Sequence, residues 1–251
     1  MRCSLYIDGT PSGPWMGHLL EEPGCIWLAP TPEEVVARGP AAIVGFFGWL
    51  RGHGEAEAAT LTTPIAAEIF VEVAELQEAE NFGQSGGAVG LFGPDRLPAA
   101  PDQIATVVRR LGYARRDLLE LVAELPAEAL DWAPPGGKRS IRKNLHHVRN
   151  AQGWYLTRVL GWAGTEQLLP EPWPEETFES LRWTLKRCTA ALLDLPEAYR
   201  TGIYRAAEPD EDWTARKMLR RFVEHEREHV EVVRRTIAAW RTGGPVPRPW
   251  E

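Results

Sequence analysis

Around residue 100 the spacing of apolar residues changes from every second position to every third or fourth. A period of two belongs to strands and a period of 3.6 to helices, so the chain reads as two parts of different class. The junction is the stretch Asn81–Pro101, whose glycines and prolines interrupt both patterns. The charge changes at the same place. Residues 1–96 hold thirteen acids against four arginines, net −9, whereas residues 97–251 hold twenty-two acids against twenty-four lysines and arginines, net +2. We therefore expect domains at 1–96 and 97–251.

The first part is expected to be α+β, a small antiparallel sheet carrying one helix. Cys3–Ile7, Trp15–Leu20 and Cys25–Ala29 read as strands, with turns at Pro11–Pro14 and Glu22–Gly24. Thr31-Pro32-Glu33-Glu34 opens a helix, with Thr31 as its cap and Pro32 in the first position. Glu68–Val73 reads as a fourth strand.

The second part is expected to be an all-α four-helix bundle. Asp102 caps a first helix that Pro126 stops. A second runs from Ser140 to Leu160, a third from Pro174 to Leu195, and a fourth from Thr214 to just before Gly243. The inward row of the fourth is Met218, Phe222, His225, His229, Val232 and Thr236.

Composition closes off several classes. Hydrophobic residues make 44% and charged residues 25% of the 251, which suits an ordered globular chain. No run approaches the roughly 18 apolar residues of a membrane span, and the N-terminus has no secretory pattern. Three scattered cysteines, Cys3, Cys25 and Cys188, make neither a disulfide framework nor a cysteine zinc site. We read a reduced, cytoplasmic protein. An acidic first part and a balanced second part give no reason to expect nucleic acid as a partner.

Four of the six histidines fall on two helices: His146, His147, His225 and His229. Residues four apart on a helix share a face, so His225 and His229 can point at one ion. They also sit on an apolar row, where an imidazole nitrogen needs a partner. The same spacing occurs in a solvated helix or in two satisfied core rings, so a third ring is required. His147 lies on the row of Asn144, Ala151, Trp154 and Tyr155; His146 lies on another, and the doublet leaves the choice open by one residue. Three imidazoles with an open position form a catalytic metal arrangement that suits zinc or nickel.

The string His225-Glu226-Arg227-Glu228-His229 also spells two metalloprotease signatures, but the further ligand would have to be Glu251, behind Gly-Gly-Pro-Val-Pro, a poor rigid donor. Trp154 and Tyr155 are read as core or pocket wall. Glu226 and Glu228 point away from the histidine row, and Arg216, Arg220, Arg221 and Arg227 read as a solvated face.

Lys138–Leu156 and Trp213–His229 resemble the second and last helices of the DinB/YfiT-like superfamily, within a four-helix pattern over residues 101–242. The resemblance implies a bundle that binds a divalent metal through His147, His225 and His229. It further implies a metal-dependent enzyme acting on a small molecule, a thiol-dependent transferase using a low-molecular-weight thiol or a hydrolase. The alternative is a non-catalytic binding or stress-related scaffold with a structural or vestigial metal. Leu19–Val36, followed by a helix and a strand, resembles the HicB-like antitoxin fold. The DNA-binding domain and toxin partner usual there have no counterpart in this sequence. This domain is read as a dimerisation or ligand-binding module, which makes a homodimer one expected form.

Overall fold

The computed structural model describes residues 1–55, 66–79, 89–136, 138–207 and 210–249. Residues 81–88 of the expected linker and Glu251 lie outside the described residues. The chain separates into two compact units, one of Met1–Pro94 with Ala207–Glu211 and one of Asp95–Ala206 with Asp212–Pro249.

In the first unit β1 (Arg2–Gly9), β2 (Trp15–His18) and β3 (Ile26–Ala29) form a meander. Helix α1 (Pro32–Gly52) follows, then β4 (Phe70–Glu78). The α1 entrance is as expected: the Glu34 amide donates to Thr31 Oγ1 at 3.2 Å and Pro32 lies in the first turn.

The sheet is not the antiparallel one expected. Its order is β3-β2-β1-β4, with β1·β2 and β2·β3 antiparallel but β1·β4 parallel. The cause is α1. A helical crossover returns the chain to the end from which β3 started, so β4 runs with β3 and β1.

Alternation along β2 sends Trp15 to the helix face, with Leu5, Ile7 and Val35, and Met16 to the other, with Ala79 and Ile26. Gly17 lets Trp27 and Val35 close over the strand, for a Cβ there would lie 2.7 Å from both. On the same sheet Asp8 and His18 form a buried pair at 2.8 Å, and Asp8 also accepts the Gly90 amide at 2.7 Å.

The second unit is helical. Its long helices are α2 (Pro101–Val122), α4 (Ile141–Leu168), α5 (Thr177–Leu193) and α7 (Ala215–Thr242), with short helices α3 (Ala127–Asp131) and α6 (Glu197–Arg200) between them. Helix α2 packs on α7 and α5, and α4 packs on the same two. The core they enclose includes Leu118, Leu145, Val148, Leu181, Val230 and Val233.

The helix ends differ from expectation in detail. Asp102 is inside α2 and not its cap; the Gln103 side chain instead accepts the Ala100 amide at 3.1 Å. The expected end of α4 at Leu160 is a break, where Gly161 takes φ 72° before the helix resumes. Glu176 caps α5 by accepting the amides of Phe178 and Glu179. Thr214 caps α7, and Gly243 closes it at φ 67°. A two-stranded ribbon, Ile203–Ala207 with Asp210–Thr214, precedes α7 and was not expected.

Candidate metal centre

Two helices carry the histidines. In α4, Ser140 caps the first turn by accepting the Lys143 amide at 3.3 Å, and the buried Asn144 amide donates to the carbonyls of Arg139 and Ser140 at 3.3 and 3.1 Å. His147 follows Asn144 by three residues and so shares its face. In α7, Thr214 sets the start and the four-residue interval puts His225 and His229 on successive turns of one face.

The three rings meet. Ring centroids lie 4.9 Å apart for His147–His225, 4.8 Å for His147–His229 and 4.4 Å for His225–His229. One nitrogen from each lies within 4.8 Å of the others. His225 and His229 are buried; His147 is partly so. His147 and His225 approach through their Nε2 atoms at 3.1 Å. His146 turns away, its Nε2 3.1 Å from the Thr177 hydroxyl on α5.

Burial keeps these rings neutral. It pushes His147 down from 6.5 to about 4, helped by the Arg139 charge. Burial first, then the neighbouring His229 ring and Arg221, hold His225 well below its ordinary value. Burial, His147 and Arg139 do the same for His229. Neutral imidazole is the form that donates a lone pair to a metal.

The donor set fits a borderline divalent ion, being three nitrogens and no carboxylate. His229 Nδ1 is buried and, among the described residues, has no hydrogen-bond partner. The protein alone thus leaves this ring unsatisfied.

Of the residues read as pocket wall, Tyr155 stands edge-on to His225 at 5.6 Å, while Trp154 packs on Tyr155 and Trp213. The Tyr155 hydroxyl is pushed up by burial, against the pull of Arg221.

Several charged residues are not where the sequence pattern put them. Glu226, which points away from the histidine row, is nevertheless only 1% exposed. It receives Arg115 of α2 through Nε and, at 3.0 Å, through Nη2; Gln152 of α4 donates to it at 3.4 Å. Arg115 Nη1 also donates to the Leu181 carbonyl of α5. Arg220 and Arg221 are buried too. Arg220 pairs with Asp95 and Glu224 at 3.1 Å, and Arg221 with Glu224 at 3.1 Å. Arg216 donates to the Pro98 carbonyl at 2.9 Å. The helical period sorts residues by polarity, and a buried ion pair needs a partner from another segment that no single helix pattern reveals.

Among the described residues no helix is long and apolar enough to cross a membrane. No curated protein and no solved structure matches the chain. Residues 110–233, which carry all three clustered histidines, match the family model of the DinB superfamily, so the helical region of this chain contains a DinB domain.

Proposed function

We propose that this region is a DinB-type four-helix bundle holding one divalent ion, zinc or nickel, through His147, His225 and His229. On this reading the protein is a metal-dependent enzyme acting on a small molecule, by thiol-dependent transfer or by hydrolysis. The observation that carries it is the convergence of three ring nitrogens within 4.8 Å from two helices. Such an ion supplies Lewis acidity, lowering the pKa of water or a thiol and polarising a carbonyl.

The residues of the chain prepare the place. Burial holds the three imidazoles in the donor form. Tyr155 backs the His225 ring. Cys188, the cysteine of the helical unit, is buried with its thiol pushed up to about 12, so it is a poor nucleophile at neutral pH, which supports a thiol supplied from outside. The acidic balance of residues 1–96 supports a small-molecule substrate over nucleic acid. For the first unit we propose a HicB-like module for dimerisation or ligand binding, supported by its three strands, helix and fourth strand.

A second reading, a scaffold without catalysis, is favoured by the 3.1 Å approach of His147 and His225, which can satisfy each other by sharing a proton. Elemental analysis of the purified protein separates the two, followed by a screen of thiol and electrophile pairs with and without chelator. About one equivalent of metal and chelator-sensitive turnover support the enzyme. A metal-free protein that takes up no zinc supports the scaffold.

A further inference from the structure

We propose that the open edge of β4 receives an extended segment of another protein as a fifth strand, one that alternates apolar residues with lysine or arginine. The proposal needs neither the metal centre nor a HicB-like fold, only this strand.

The sheet order β3-β2-β1-β4 leaves β4 at one end, with β1 as its neighbour among the described residues. The Phe70 amide donates to the Met1 carbonyl at 2.9 Å and the Ala79 amide to the Gly9 carbonyl at 2.8 Å. Backbone groups alternate in direction along a strand, and the register with β1 skips Ala74. Val71, Val73, Leu76 and Glu78 therefore turn their amides and carbonyls away from β1. Such a row is a template for one more strand.

The side chains specify its chemistry. Val73 and Leu76 pair with Leu5 and Ile7 on the face that carries α1, yet they are 43% and 47% exposed. Apolar residues of an added strand would cover them. Glu72, on the other face, and Glu78 are exposed and make no ion pair among the described residues. Residues 1–96 offer them no lysine and hold thirteen acids against four arginines. A second copy at this edge would set Glu72, Glu75 and Glu78 of two acidic units side by side, and like charges across strands repel. The acids thus guard the edge against self-pairing and favour a strand of opposite sign.

The test titrates the full chain, by calorimetry, with two eight-residue peptides of equal charge, one alternating valine and lysine and one alternating proline and lysine. Only the first can form the ladder, so it should bind at least tenfold more tightly. Val73→Pro should make the two peptides equal, since proline is tolerated where the lost amide faces outward. Should that variant fail to fold, Glu72→Lys with Glu78→Lys decides, both sites being exposed. It should weaken the valine–lysine peptide about tenfold and favour a valine–glutamate one. Equal binding of the two lysine peptides by wild type overturns the proposal, leaving only nonspecific charge attraction. No binding of the valine–lysine peptide overturns it too. So does a homodimer that Val73→Pro dissolves, which would give the edge to a second copy.

Discussion

His147 and His225 bring their Nε2 atoms to 3.1 Å across two helices. Without an ion, one ring must carry the proton that the other accepts, and a divalent ion would displace it. Added zinc should therefore raise the thermal midpoint, by an amount equivalent to about 2.7 kcal/mol at a hundredfold excess over the dissociation constant. His225→Ala should abolish the shift. Melting curves at several zinc concentrations decide it; an equal shift in His225→Ala would place the ion elsewhere.

Acid should weaken the metal-free fold. The folded protein keeps His147 neutral down to about 4, whereas the unfolded chain takes up its proton near 6.5. Between those values the unfolded state binds more protons, so stability falls as pH falls; above 6.5 this contribution is complete. His225 and His229 act in the same direction. Urea midpoints at pH 7.5 and 5.5 should differ less in His147→Gln than in wild type. An undiminished difference would assign the acid sensitivity to other groups.

Cys188 should resist thiol reagents. Burial holds its pKa near 12, so almost no thiolate exists at pH 8. Mass spectrometry after a maleimide pulse should find Cys188 unmodified in native protein and fully modified in urea. Rapid native labelling would contradict the packing around α5.

Arg115 and Glu226 are each 1% exposed, and removing either one strands the other's charge. Glu226→Ala should cost about 3–5 kcal/mol in urea unfolding, and Arg115→Met with Glu226→Leu should recover most of it. Additive losses in the double variant would mean that the two side chains act independently.

Much of the architecture was legible because local rules and packing agree. Thr31-Pro32-Glu33-Glu34 starts α1, Thr214 and Gly243 bound α7, and the His225/His229 interval places two rings on one face. The doublet His146-His147 was not resolvable, since neighbouring residues differ by about 100° and only the partner helices decide which turns inward. Strand direction was hidden as well: nothing in Phe70–Glu78 says that β4 lies beside β1 and not β3. The ribbon around Ala207 escaped because its residues, Arg205, Ala206, Asp210, Glu211 and Asp212, are mostly poor strand formers and owe their form to pairing. The buried Arg220 pairs with Asp95, 125 positions away, beyond any local pattern.

One guanidinium, that of Arg115, reaches α5 at Leu181 and α7 at Glu226, and Glu226 in turn accepts from Gln152 of α4. Any one of these helices that rolled or drifted outward alone would expose or orphan a charge in a dry interior. Breathing of the helical unit by separation of single rods is thereby suppressed. On the proposed reading, an ion reaching the three histidines would then depend on side-chain rearrangement, on a faster clock than helix displacement.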